Sequence, residues 1–425
     1  MKLLNYINAK YKNKDIKLLI SNFFNLAIVQ GLDLILPLLT IPYTTRVLGF
    51  QKLGIIAFAV ALVGYFGIII NYGFNLTATK QVSQNRESVV DLRKIYSQVT
   101  FSKMILIILS LIIFLIFIIF IPKVSEEKTL FFFSFLSVIF SNLIPYWFFQ
   151  GIQDLKYTTR LTTVFKILST ASIFIFVKKV DDYLIIAILP LITNFLVLVI
   201  IQFVLYKKYN IYFVKTTFRE IIDQLNKGFY IFLSQIKISF FTNFNTIVVG
   251  SILGDTAVGL FSSAEKIIRI LSSVQIPIVS SLFPYFSKKI HENRREAFIH
   301  INKIAKIGAG FYFIICSLVF ILSPYIAYWI FGSHVHEISI LIRIMVFNPI
   351  FVFANNMFGT QFLLNIGKDK RFTLNLIFAT LVNVVLIYPL IYLYNLYGAA
   401  ISVLITEILV YVLMHYFAIK NFQNQ

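Results

Sequence analysis

Stretches of about 20 mostly apolar residues recur along the chain, and this recurrence limits the fold more than any other feature, because a helix of that length crosses the roughly 30 Å of bilayer hydrocarbon. With that length as the ruler there are about twelve segments: 18–42, 53–79, 98–121, 129–150, 158–177, 183–206, 228–252, 259–284, 304–323, 337–364, 372–392 and 398–419. In lipid every backbone N–H and C=O must be satisfied within the protein, and segments twice as long as a barrel strand do this as helices. Of the 425 residues 59% are hydrophobic and only 13% charged, against roughly a quarter charged in soluble domains. The expected class is therefore an all-α integral membrane protein. Runs such as ILIILSLIIFLIFIIF (105–120), apolar all round, should face lipid. NYGFNLTATK (71–80) and NFFNLAIVQGLDLILP (22–37), which interleave Asn, Gln, Thr and Gly, should face a protein or water-filled interior.

The formal charge is +20, and its placement gives orientation. Of the 38 Lys and Arg, 27 fall in the N-terminal segment and alternate connections if the N-terminus is cytoplasmic, 6 in the opposite connections and 5 within spans. That asymmetry puts both termini on the cytoplasmic side and assigns most of the charge to topology rather than to a nucleic-acid partner. The basic opening MKLLNYINAKYKNKDIK precedes a long apolar run without a small-residue cleavage pattern, so it reads as an uncleaved cytoplasmic tail. The outer connections are short, which leaves no extracytoplasmic domain for an enzyme site.

The chain also repeats itself. LGFQKLG at 48–54 matches LGDTAVG at 253–259, and FFQGIQDLKYTTR at 148–160 matches FLLNIGKDKRFT at 362–373. Offsets of about 205 and 215 residues imply a duplicated six-span unit. The expected organisation is an N-terminal lobe at 1–206, a basic cytoplasmic connection at 207–227 and a C-terminal lobe at 228–425, two six-helix lobes around a central cavity.

No residue set proposes itself for catalysis or for a resident metal or cofactor. NIGKDK at 365–370 lacks the first glycine and the hydroxyl of a phosphate loop, His334 and His336 have no accompanying ligands, and Cys316 is the only cysteine. What remains are ionisable residues within spans, each costly at mid-depth and so candidates for a cavity. Asp33, Lys237, Glu265, Lys266, Arg269, Arg343 and Glu407 are of this kind. Glu265 and Arg269 are four apart on one helix and can neutralise each other, whereas Lys266 keeps its charge. With Lys237 and Arg343 it would form a cationic inner surface suited to a phosphate or diphosphate. Lys103, placed a few residues from the inner end of its segment, reads as snorkelling to headgroups.

Six stretches resemble the Wzx-type O-antigen and capsule repeat-unit flippases of the MOP (multidrug/oligosaccharidyl-lipid/polysaccharide) exporter superfamily. They are the Pro-Tyr-x-x-Arg-x-Leu-Gly text within 34–54, NYGFNLTATKQVSQNRE (71–87), PYWFFQGIQDLKY (145–157), LGDTAVGLFSSAEKIIR (253–269), and QFLLNIGKDK with YGAAISVLITE (361–370 and 397–407). The resemblance implies a MATE-like fold whose two lobes alternate between inward-open and outward-open states. The implied substrate is an undecaprenyl-diphosphate-linked oligosaccharide, carried to the periplasmic leaflet of the bacterial inner membrane, with the polysaccharide polymerase and chain-length regulator as candidate partners. It also brings Arg46 into the cavity set, as the arginine of the Pro-Tyr-x-x-Arg pattern, and matches Glu265 and Lys266 to its Ala-Glu-Lys pattern. Lys237, Arg269 and Arg343 rest on depth alone. No cofactor is expected beyond proton or sodium coupling, for which Asp33 and Glu407 are the candidate carboxylates. The competing readings are a cation-coupled drug or metabolite exporter of the same superfamily, against which the basic excess counts, and a membrane-embedded polymerase, which would need an outer catalytic loop.

Overall fold

Every regular element among the described residues is a helix, as a lipid environment requires of a chain with unbroken apolar runs. The structure is a computed structural model and describes residues 31–423 apart from 33, 34, 234, 237–242 and 284. Two of the expected site residues, Asp33 and Lys237, lie outside the described residues. Among those described, ten helical runs are long and apolar enough to cross a membrane. One of them, Ile35–Gln84, takes in the end of the first expected segment and all of the second. Lipid-facing surface is evident on them: Ile108, Leu109, Ile112, Leu115 and Ile116 of the all-apolar run are exposed while Ser110 and Phe114 are buried.

Internal contacts divide the chain into one unit of Met1–Thr40 with Ala59–Ser239 and another of Ile41–Phe58 with Phe240–Gln425. The first is built from α1 (Lys2–Asn71), α2 (Phe74–Gln84), α3 (Val89–Phe120), the short α4 (Pro122–Glu126), α5 (Lys128–Leu143), α6 (Tyr146–Gly151), α7 (Lys156–Phe176), α8 (Ile185–Tyr209) and the start of α9 (Phe218–Ile252). Its core joins Phe74 and Val82 of α2, Tyr96 and Val99 of α3, Trp147 and Phe148 of α6, and Ile201 of α8. Between α8 and α9 the backbone is irregular and held to α3: Ser97 Oγ accepts from Val214 N (2.9 Å), and Arg93 donates to Asn210 O (2.8 Å) with its guanidinium 4.0 Å from the Tyr212 ring.

The second unit adds α10 (Asp255–Ser273), α11 (Gln275–Glu292), α12 (Arg294–Phe331), α13 (Val335–Met345), α14 (Asn348–Asn355) with a π-helical continuation at Asn356–Leu364, α15 (Asp369–Tyr394) and α16 (Leu396–Gln423). Phe298, Phe353, Phe358 and Phe362 with Met357 and Met414 form its core. Asn293 caps α12 by accepting from Glu296 N at 3.0 Å.

The two sequence repeats have matching conformations. Gly49 (φ 72°, ψ 167°) and Gly254 (φ 84°, ψ −175°) occupy the same glycine-only region of backbone space at equivalent places in LGFQKLG and LGDTAVG. The closing glycines of the two motifs meet each other's backbone. A Cβ on Gly54 would lie 1.7 Å from Asp255 O, and one on Gly259 would lie 2.0 Å from Phe50 O. Each motif thus needs its last glycine because the other motif passes there, which explains why 41–58 clusters with the second unit. The other repeat ends a helix the same way twice. Gln153 (φ 60°) and Gly367 (φ 72°) sit in the left-handed region, and the following N–H groups bond five residues back, Asp154 to Phe149 O and Lys368 to Leu363 O, both at 2.9 Å. The members of each repeat thus share a local backbone conformation as well as a sequence pattern.

Candidate functional site

α10 carries the Glu265, Lys266 and Arg269 cluster. One face of this helix, including Val258, Phe261, Ala264 and Ile268, is buried, which leaves Lys266 and Arg269 on the exposed stripe. Arg269 donates to Glu265 Oε1 from Nη2 (2.9 Å) and Nε (3.1 Å). The pair neutralises itself, so the three residues together present one net positive charge, at Lys266.

Arg343 is directed elsewhere. Pro324 lies inside α12 and has no N–H for the carbonyl four residues back, that of Phe320. Ser323 Oγ donates to that carbonyl (2.8 Å), and Arg343 Nε donates to Ser323 Oγ (3.0 Å) and at longer range to the carbonyl itself (3.4 Å), with its guanidinium 5.3 Å from the Phe320 ring. Ser323 is joined in turn to Ser339 at 3.0 Å. Arg46 performs a related task at the end of the same helix, donating from Nη2 to Trp329 O at 2.9 Å, one of the four carbonyls a helix leaves without an internal partner. Phe50, four residues on, packs against Phe331 and His334. The Pro-Tyr-x-x-Arg-x-Leu-Gly stretch therefore closes the end of α12. Glu407 on α16 accepts from Asn355 Nδ2 at 3.1 Å, where α14 passes into the π-helix. Buried polar atoms without hydrogen-bond partners lie along the same stretch and on α11: Asn355 Oδ1, Gln361 Oε1 and Gln275 Nε2. π-Helical turns in membrane helices frequently mark functional positions.

Lys103 does not snorkel. It is 2% exposed, and its ammonium donates to Asn142 O. That carbonyl is available because α5 stops at Leu143: Ile144, before Pro145, is forced into extended backbone (ψ 120°), and Tyr146 N turns to Ile144 O instead of Asn142 O. The sequence placed Lys103 near an end because the segment appeared to begin at 98, whereas α3 begins at Val89.

A residue missed from the sequence is Lys166, there counted among the connection charges. It lies ten residues into α7, about 15 Å along the axis, and lines a cavity of about 400 Å³ in the first unit. One stripe of each helix supplies the walls: Leu36 and Thr40 of α1, Lys166, Ser169, Thr170 and Ile173 of α7, and Pro190, Thr193 and Asn194 of α8, with Ser141 of α5. The spacing of 166, 169, 170 and 173 is that of one helix face, the signal by which the cavity could have been foreseen. Asn194 is fixed there by donating to Ser137 Oγ at 3.1 Å. Pro37 and Pro190 also line the cavity.

Residues 19–290 match the family described as polysaccharide biosynthesis protein. The chain belongs to this family. Among its relatives is a protein of Escherichia coli (strain K12) named as an O-antigen transporter, 32% identical over 406 residues that cover 94% of this chain and 96% of that one. A protein of Shigella dysenteriae of the same name is 28% identical, covering 92% and 98%. The fold of the chain is shared by solved transporters. An inward-facing multidrug MATE transporter superposes with a TM-score of 0.75 at 14% identity over 92% of this chain and 95% of that one. The lipid II flippase MurJ does so at 0.73 and 16% over 96% and 89%. The resemblance to Wzx-type flippases drawn from six short stretches thus extends over nearly the whole chain, and the protein is a multi-pass membrane protein whose regular elements, among the described residues, are helices.

Proposed function

We propose that this chain is a flippase for an undecaprenyl-diphosphate-linked oligosaccharide, moving it from the cytoplasmic to the periplasmic leaflet of the bacterial inner membrane by alternating access, with no covalent chemistry. The observation that carries this reading is the exposed stripe of α10, where an internal Glu265–Arg269 pair leaves Lys266 as a net cation on a span whose other face is packed. A charge held exposed at membrane depth needs a polar or anionic companion, and a diphosphate supplies one. A glycan head cannot cross roughly 30 Å of hydrocarbon unaided, whereas its polyprenyl tail can stay in lipid throughout. Relatives named as O-antigen transporters along almost the full length support the same substrate class. Coupling to a proton or sodium gradient, with Glu407 as the described candidate carboxylate, belongs to this proposal as an option the transport step does not require.

Complementation tests it. The wild-type chain should restore surface polysaccharide in a bacterium lacking its own repeat-unit flippase and supplied with the cognate glycan pathway. Lys266→Ala, at equal membrane level, should lose most of that activity. Glu265→Gln, which adds net positive charge to the stripe, should keep it. Failure of the wild type to rescue would overturn the flippase reading in favour of a drug or metabolite exporter.

A further inference from the structure

The cavity between α1, α5, α7 and α8 has a lining whose chemistry is more specific than that of a vestibule. Five hydroxyls, from Thr40, Ser141, Ser169, Thr170 and Thr193, join the amide of Asn194 and the ammonium of Lys166. Hydroxyls and amides both donate and accept, which suits a ligand whose own groups do the same. A bare diphosphate would instead call for several cations, and among the described lining residues Lys166 is the one ionisable group. A polyprenyl chain would call for continuous apolar walls, whereas here Leu32, Leu36, Pro37, Ile173 and Pro190 are interleaved with the polar residues. These apolar groups are enough to meet the C–H face of a ring. The volume of about 400 Å³ lies within the range of small-ligand sites, roughly 300–1,000 Å³.

Two of the polar groups are already oriented. The Thr40 hydroxyl donates to the carbonyls of Leu36 (3.3 Å) and Pro37 (3.2 Å). Asn194 donates to Ser137 (3.1 Å), which holds the amide plane in place. The prolines at 37 and 190 interrupt the helical ladders of two walls, which is how helices otherwise packed against one another leave room here.

From this we infer that the cavity is a sugar subsite: it takes a pyranose ring of the carried glycan through the hydroxyl and amide set. The inference rests on the flippase reading for the identity of the ligand, but its test does not depend on export. Ser169→Cys and, separately, Thr170→Cys give a reporter thiol in the cavity, since Cys316, the native cysteine, is buried. Maleimide labelling of the purified full chain in detergent is then followed with undecaprenyl diphosphate alone or with undecaprenyl diphosphate carrying one N-acetylglucosamine.

Protection by the sugar-bearing lipid and not by the bare one supports the subsite. The protecting concentration should then rise about fivefold when Thr193→Val removes one hydrogen-bonding hydroxyl at nearly constant volume. Equal protection by both lipids would mean that the cavity takes the prenyl diphosphate, and absence of protection with both reporters would mean a water-filled vestibule. Either result overturns the inference. Neither touches the flippase reading, which stands or falls on rescue by the wild-type chain.

Discussion

The reciprocal contact between the two glycine motifs yields the sharpest stability prediction. Gly54 and Gly259 each face a backbone carbonyl of the other motif, at 1.7 Å and 2.0 Å from where a Cβ would stand. A carbon and a carbonyl oxygen tolerate about 3.3 Å, so an alanine at either position forces the segments apart by more than 1 Å. The obstacle is main chain on both sides and has no flexible end to swing away. The surroundings are closed, with Leu48 2% exposed and Val258 and Phe261 at 0%. Overpacking in such interiors costs about 1–3 kcal/mol, and a main-chain clash belongs at the upper end. Alanine recovers about 1 kcal/mol of helix propensity, which leaves a net loss of about 2 kcal/mol. For a unit of roughly 200 residues that lowers the unfolding midpoint by about 4–8 °C, read by fluorescence-detected gel filtration of heated, detergent-solubilised protein. Gly310→Ala is the internal control: it is also helical but has open space around it, so the same substitution should raise the midpoint. Gly54→Ala with Gly259→Ala together should cost less than the sum, because one separation relieves both clashes. If Gly259→Ala and Gly310→Ala shift the midpoint alike, the close approach of the two motifs is refuted.

Three further outcomes follow from the polar contacts. Lys103→Met should fold at least as well as the wild type, because leaving Asn142 O without its donor costs about 1–3 kcal/mol while sparing the burial of an ammonium returns several; a clear fall in the thermal midpoint would refute this balance. Arg343→Ala should destabilise by about 1.5 kcal/mol or more, and less so in a Pro324→Ala background, where Phe320 O regains a helical N–H. A double-mutant cycle that returns no coupling would sever the arginine from the proline. At the start of α9, Glu220 accepts from Thr217 N (2.7 Å) and Thr217 Oγ1 (3.0 Å), which holds its carboxyl below the usual range. A depressed folded pKa adds stability above the unfolded value, about 4.3, that is lost as pH falls through the folded one. Glu220→Gln should therefore speed amide exchange at Thr217 near neutral pH, and the difference from wild type should vanish toward pH 3.

Much of the architecture was legible in the sequence because lipid leaves little choice: an apolar run of sufficient length becomes a helix, and hydropathy finds it. The repeats were legible for a local reason. The glycines at 49 and 254 hold a backbone conformation that other residues avoid, so the constraint is written in the residue itself. Partners were not legible. Nothing near Arg343 in sequence announces the carbonyl freed by Pro324, 19 residues earlier, and nothing near Lys103 announces the helix break at Pro145. Lys166 was obscured by a different effect: it lies eight residues into the expected span at 158–177 but was counted with the connection charges that set topology.

These placements bear on how charges in membrane helices are read. Depth selects cations that need a companion, but the companion can be the protein. Three of the arginines and lysines singled out by sequence depth or pattern are drawn to carbonyls that helix interruptions set free: Lys103 at the end of α5, Arg343 beside the proline of α12, and Arg46 at the close of that helix. A fourth, Arg269, is matched by Glu265. Each proline or helix end that shapes such a fold exposes oxygen dipoles, and in a low-dielectric surrounding a fixed cation is an effective way to meet them. The fold's own bends therefore consume positive charge before any substrate arrives.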